Sequence, residues 1–284
     1  MRRVVRSILE VAAIAAASTS LLASGHGPVF GLATPTNPRG GWSADWGLMG
    51  RYGPSTAGTM MRLGLGYGIT EHLKISVTAP VVFRTDSLAP ARVAPFTPMG
   101  NDFEGQVLWR FQRKTVGVGS RLETTAIGGV LATGPQDMGG TLKPIQSSAG
   151  GLVGIVSGYA SRSHYLWGGT TYQRYAESSG DRRPDLLFYS AVYAYRPKSW
   201  RKDEGWDWRI IGELTGERAG SIQQAGTPLA GSQAHQIFVG PSTLAVWKNY
   251  GIGFGVLFPV YRAVNPIYYP SERVRFSINF AYFF

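Results

Sequence analysis

The chain of 284 residues contains no cysteine, so disulfides and thiolate metal sites are excluded. That absence is compatible with an oxidising compartment. Long apolar runs are also missing: beyond the first 25 residues nothing approaches the ~20 apolar residues that a membrane helix needs. Histidine is scarce, with only His26, His72, His164 and His235. The Gly-x-Ser-x-Gly and His-Glu-x-x-His patterns are absent, and no histidine stands in a His-x-Ser pattern. The sequence therefore offers no catalytic constellation and no cofactor motif, and catalysis is not expected. Acidic residues are outnumbered, 17 against 28 basic, giving a formal charge of +11. The basic residues are scattered and do not interleave with aromatics in a run, so a nucleic-acid partner is not expected.

What is present begins at the last nine residues. Phe276, Ile278, Phe280, Tyr282 and Phe284 alternate with Ser277, Asn279 and Ala281. This period of two gives a strand with one wholly apolar, aromatic face. An exposed edge of that kind invites aggregation in water. A closed barrel has no edge, and its outer face meets lipid. Glycine, at 38 residues, is nearly twice the usual ~7%, which suits many strands and tight turns. The mean hydropathy of −0.06 fits a barrel whose strands turn half their residues inward to water.

The first residues read as a secretory signal: Arg2, Arg3 and Arg6, a short apolar run from Val11 to Ala17 continuing to Leu22, then Ala23-Ser24-Gly25. Cleavage is expected after Gly25 or Ala23. Removal of residues 1–25 takes away three Arg and one Glu, leaving +9. The expected organisation is 1–25 signal peptide, 26–40 lead-in, and 41–284 an antiparallel up-and-down transmembrane barrel.

Twelve alternating segments follow, near 42–52, 60–68, 73–83, 102–111, 121–133, 148–159, 164–175, 186–195, 208–217, 236–247, 251–261 and 273–284. Leu73, Ile75, Val77, Phe276, Ile278 and Phe280 are expected on the lipid face. The faces of the sixth to eighth segments are ambiguous, because apolar residues fall on both. Connections alternate broadly between short, as at 69–72, 160–163 and 248–250, and long, as at 84–101, 134–147, 176–185, 218–235 and 262–272. Short turns belong to the periplasmic end. Trp42, Trp46, Trp109, Phe111, Trp208, Trp247, Phe258 and Tyr282 sit near segment ends, as interfacial girdles require. A soluble sandwich or lipocalin-like barrel would instead bury this aromatic face.

Alternation turns Asp45, Arg51, Arg62, Lys74, Glu104, Arg110, Arg121, Glu123, Arg209, Glu213 and Arg275 toward the lumen. Two readings stand: cross-strand salt bridges filling a narrow barrel, or a charged ring that favours anions. The runs Gly64-Leu65-Gly66-Tyr67-Gly68 and Gly251-Ile252-Gly253-Phe254-Gly255 have no helix after them and read as lumen-facing strand glycine, not phosphate loops. The lead-in is proline-rich and uncharged from Val29 until Arg39. It is either a loose tail or a small lumen plug, and the plug is preferred because Val29, Phe30 and Leu32 need cover. His26, if it became the first residue, would bring an amine and an imidazole together, a copper-type chelate; a disordered leader residue is the simpler reading, and no metal site is assigned. In the apolar loop 84–101, Leu88, Val93, Phe96 and Met99 are candidate contacts at the mouth, for cargo or for a lid.

Several stretches together resemble one family. Gly27-Pro28-Val29-Phe30-Gly31-Leu32-Ala33-Thr34-Pro35-Thr36 and Arg39-Gly40-Gly41-Trp42-Ser43 resemble the mature N-terminus of outer-membrane proteins grouped with the meta-pathway of phenol degradation. Tyr67-Gly68-Ile69-Thr70-Glu71-His72-Leu73 resembles that family's Y-G-I-T-D/E-x-L turn. Gly180-Asp181-Arg182-Arg183, Glu213-Leu214-Thr215-Gly216-Glu217 and Phe258-Pro259-Val260-Tyr261-Arg262 also have counterparts there. The family is similar to the fatty-acid-transporter superfamily for hydrophobic compounds. The resemblance implies a Gram-negative outer-membrane channel for passive passage of small molecules, hydrophobic or aromatic. The lumen charges favour small anions instead, and a structural barrel without an open pore is the third reading. The chain's ending resembles the C-terminal signal, here Tyr282 and Phe284, that the barrel-assembly machinery reads. Implied partners are outer-membrane lipid, that machinery and the cargo.

Overall fold

A computed structural model describes residues 27–34, 36–54, 56–85, 102–132, 149–200, 205–269 and 271–284. The signal-peptide reading, His26 and the mouth-loop residues Leu88, Val93, Phe96 and Met99 lie outside the described residues. The strands are β1 (Trp42–Gly53), β2 (Thr56–Gly68), β3 (Leu73–Thr85), β4 (Phe103–Gly117), β5 (Ser120–Ala132), β6 (Ala149–Ala160), β7 (His164–Tyr175), β8 (Leu186–Tyr195), β9 (Asp207–Ala219), β10 (Gln223–Gln224), β11 (Thr227–Pro228), β12 (Ala234–Trp247), β13 (Tyr250–Val264) and β14 (Val274–Phe283). Twelve of them close one antiparallel barrel, each paired with its neighbour in sequence. The two-residue β10 and β11 form a separate hairpin in the connection between β9 and β12. Closure is made by β1 on β14, from Ser43 opposite Phe283 to Tyr52 opposite Val274. No row of unpaired barrel backbone is then left to recruit another chain.

Period-two alternation decides which residues face out. On β2, Leu63 and Leu65 are exposed while Arg62 and Gly66 are buried. On β3, Ile75 and Val77 are exposed, and on β14 Ile278 and Phe280 are. The same pattern runs around the barrel through Val107, Val130, Val153, Leu166, Ile210, Ile252 and Phe254. A continuous apolar belt of this kind has no place in water and matches the hydrocarbon of a bilayer. No described helix is long and apolar enough to cross a membrane; the strands do so.

At the end of the barrel with the short turns, Trp42 lies 4.7 Å from Tyr67 and 6.4 Å from Phe284, ring centre to ring centre. Tyr282 continues the row to Phe284 at 5.4 Å and to Tyr250 at 5.0 Å. Trp109 and Phe111 face each other at 5.7 Å on the far side. This is an interfacial girdle, and it marks the short-turn end as periplasmic. Trp46 and Phe258 lie further along their strands, Trp46 donating its indole N–H to the Met61 sulfur.

Three expectations change. The fourth strand does not stop at Phe111 but runs to Gly117, so the long connection expected over 112–120 is a tight turn at Val118-Gly119. Register shifts between Trp109 and Gln112, and between Thr115 and Gly117, break the alternation there and hide the strand. The second strand begins at Thr56, not Met60, which shortens the first outer hairpin. The ambiguous sixth to eighth segments are apolar on both faces because Leu152, Val156, Trp167, Phe188 and Val192 are buried inside the barrel.

Candidate functional site

The lumen is where these inward residues meet, and the chain's own lead-in runs through it. The segment enters at the periplasmic mouth, where Gly40 N–H donates to Gly68 O at 2.8 Å and Gly41 N–H to Pro38 O at 3.0 Å. Asn37 donates its amide to Gly66 O at 3.3 Å, and Thr36 its hydroxyl to Glu71 O at 2.9 Å. Deeper, Thr34 gives its hydroxyl to Glu123 at 3.2 Å and accepts one from Thr125 on its carbonyl at 2.9 Å. Leu32 N–H donates to Ser190 Oγ at 2.9 Å.

The deepest part is held by one carboxylate. Val29 N–H donates to Glu213 Oε1 at 2.8 Å, and Phe30 and Gly31 N–H donate to Oε2 at 2.9 and 2.7 Å. Ser242 Oγ also donates to Oε1. Three successive backbone N–H groups that converge on an anion form a nest, and each such charge-assisted bond exceeds a neutral one in strength. Asn279 fixes the far side by donating to Val29 O at 3.2 Å.

Apolar packing completes the grip. Val29 and Phe30, 3% and 1% exposed, cluster with Met49, Met60, Phe238 and Leu257. Gly255 makes the room: a Cβ there would come 2.6 Å from the Phe30 ring. Leu32 packs against Ile127, Leu131, Leu152, Val156 and Tyr175, and Ala33 against the group around Trp167 and Val192. The inward apolar faces of β6–β8 thus meet the lead-in instead of water.

The charged residues surround this segment in pairs. Toward the long loops, Arg275 bridges Glu217 and Glu272, and Arg51 reaches Glu272 at 3.4 Å. The Arg275 guanidinium lies 3.8 Å from the centre of the Phe238 ring, a cation–π contact directly behind the Phe30 pocket. Burial alone would raise the Glu272 carboxyl, but Arg275 and then Arg51 hold it below its ordinary value. Arg62 meets Glu104 at 2.7 Å, and Arg183 meets Asp102 at 2.7 Å. Toward the periplasm, Glu123 gathers Arg121 at 3.0 Å and Arg110 at 3.3 Å, and Arg209 lies 3.7 Å from Asp207. Asp45 and Lys74 stand apart: Lys74 Nζ reaches Ser43 Oγ at 3.4 Å, and neither joins an ion pair among the described residues.

Beside the lead-in a cavity of about 350 Å³ is left in the lumen; β1–β4 give it Asp45, Arg62, Lys74, Ser76, Glu104 and Gln106, and β5–β7 and β12–β14 complete its lining. The described histidines are elsewhere. His72 lies in an exposed turn, and His164 and His235 bond Tyr193 and Tyr189 on the outer face.

Sequence reasoning missed several members of the lumen network. Glu217 closes a strand whose alternation from Glu213 would have reached it. Asp102, Asp207 and Glu272 sit at or just outside strand ends, where periodicity gives no signal. Arg183 comes from a connection between strands.

No family model matches the chain, and no curated protein does. Among solved structures it is similar to an outer membrane channel from Pseudomonas putida F1, with 12% identity, 88% of this chain and 97% of that one covered, and a TM-score of 0.63. The NanC porin overlays at 0.49 with 10% identity, covering 84% and 98%, and LpxR from Salmonella typhimurium at 0.46 with 8% identity, covering 85% and 100%. At these identities the likeness is one of fold. With the closed barrel, its lipid-facing belt and its girdle, the likeness to the first of these makes the chain an outer-membrane β-barrel.

Proposed function

We propose that the barrel is a passive channel for small molecules, closed by the lead-in as its plug, and that its cargo is small and apolar or aromatic. The observation that carries this is the Phe30 pocket. A benzyl side chain fills a site made by Met49, Met60, Phe238 and Leu257, and the segment that supplies it is not part of the barrel wall. Withdrawal of the lead-in would bare an apolar, ring-sized patch inside an otherwise polar lumen, which is what an aromatic solute needs to partition there. The anion reading loses support where arginines counted as a selectivity ring are matched by carboxylates, Arg62 by Glu104 and Arg51 with Arg275 by Glu217 and Glu272; it keeps support at Glu123, which alone faces Arg110, Arg113 and Arg121.

The test compares the full chain with one lacking residues 27–40, in planar bilayers and in liposomes loaded for uptake of benzyl alcohol. The truncated barrel is expected to conduct more and to admit benzyl alcohol faster. A silent truncated barrel would favour a structural role. A current that rises without benzyl alcohol uptake, and prefers chloride, would favour the anion channel.

A further inference from the structure

The cavity left beside the lead-in presents two charges of opposite sign, Asp45 and Lys74, that form no direct ion pair among the described residues. Asp45 on β1 is open to it, and Lys74 on β3 lines it. Lys74 reaches across β2 because residue 66 is glycine: a Cβ there would come 2.5 Å from Lys74 Cε and 2.8 Å from Ser43 Oγ. The stem of the lysine thus lies flat on the wall, and its ammonium is held by a single hydroxyl. Arg62 and Glu104 line the same space. They pair through one atom each, while Arg62 Nη1 and Glu104 Oε1 are buried with no hydrogen-bond partner. Buried charged atoms without a partner are costly, but these two are sealed from the cavity, and Glu104 Oε2 also accepts from Gln106 at 2.8 Å, so Asp45 and Lys74 are the charges the cavity presents. Ser76 and Gln106 add neutral donors and acceptors beside them.

We propose that this cavity is a binding site for a small zwitterion, a molecule with an ammonium and a carboxylate a few bonds apart. The carboxylate would be taken by Lys74 and the ammonium by Asp45, with the Arg62–Glu104 pair beside them. A lone anion or cation also meets a charge of its own sign in the same space and is disfavoured. At about 350 Å³ the site lies at the small end of ligand pockets, roughly 300–1,000 Å³, so it suits a molecule of amino-acid size. The site is separate from the Phe30 pocket and does not depend on conduction.

The experiment uses the full chain in detergent micelles, with L-alanine as probe and acetate and ethylammonium as single-charge controls, followed by isothermal titration. L-alanine is expected to bind saturably and at least about tenfold more tightly than either control, the discrimination expected of one charge-assisted hydrogen bond. Lys74→Met and Asp45→Asn, neither of which breaks an ion pair, are each expected to weaken L-alanine binding by about tenfold or more. Unchanged heat-modifiable migration shows that the variants are folded. Absent or non-saturable L-alanine binding overturns the site, as does acetate binding equal to that of L-alanine. Unaltered affinity in both variants overturns the residue assignment. None of these outcomes bears on whether the barrel conducts.

Discussion

Replacement of Glu213 by alanine removes the acceptor on which Val29, Phe30 and Gly31 converge. A hydrogen bond to a charged group contributes about 1.5–3 kcal/mol net. Three such bonds share one carboxylate and are not additive, and the freed N–H groups regain water once the segment leaves. A loss of roughly 4 kcal/mol in docking is therefore reasonable, since donors that stay docked each lose a partner at about 1–3 kcal/mol. At 1.4 kcal/mol per tenfold, that changes the ratio of docked to undocked lead-in by about a thousandfold. Because the chain has no cysteine, Ala33→Cys gives a unique label site on the segment. In the Glu213→Ala background this cysteine should react with a bulky maleimide far faster than in the parent, and single-channel current should rise with it. Glu213→Gln keeps the shape but offers one oxygen in place of two and turns an N–H toward N–H donors, so it should fall between. Equal labelling rates and equal currents in Glu213→Ala and the parent would refute the latch.

Glu272 gives a pH dependence. Its carboxyl is held below the ordinary 4.5 in the folded barrel, burial working against this and Arg275 and Arg51 prevailing. A folded value below the unfolded one means the stabilisation is complete above about pH 4.5 and is lost as pH falls through the folded value. Thermal unfolding in detergent should show Glu272→Gln less stable than the parent at neutral pH, with the gap narrowing in acid; parallel curves would contradict the pairing. Val77 and Thr78 are adjacent and alternate along β3, Val77 exposed on the lipid face and Thr78 half-buried on the inner one. Val77→Arg should cost about 2–4 kcal/mol near the bilayer midplane and Thr78→Arg much less, as urea unfolding in liposomes will report; equal costs would mean the register is wrong.

The strand number and the lipid face were legible because they rest on alternation, a local property. Phe276, Ile278 and Phe280 declare one face of β14 without reference to any other strand. The failures came where alternation breaks. The bulges after Trp109 concealed the end of β4. In β6–β8, Leu152, Trp167 and Val192 face inward against a segment far away in sequence, and no periodicity encodes a partner of that kind. The same limit applies to the site. Alternation supplies a list of inward charges but not their pairing. That Glu213 meets backbone N–H groups 182 to 184 residues away, while Glu217 on the same face meets Arg275, depends on where the closed barrel brings its strands.

Residues 27–41 run within a closed sheet in which they are not a strand. Its bend is pinned at the periplasmic doorway by Gly40 on Gly68 and Asn37 on Gly66, with Pro38, Arg39 and Gly40 exposed there. It forms no rung of the barrel, so its attachments can break without opening one, the β1–β14 seam included. Fifteen residues, 27 to 41, extend to roughly 50 Å at most, long enough to hang clear of the mouth while still tethered at Trp42. The exposed bend is then a handle. A load applied there from the periplasm meets the Asn37, Thr36, Thr34 and Leu32 attachments one after another and the Glu213 nest last. Such a fastening peels in sequence under a modest pull, resists pressure from the opposite side, and leaves its socket intact for return.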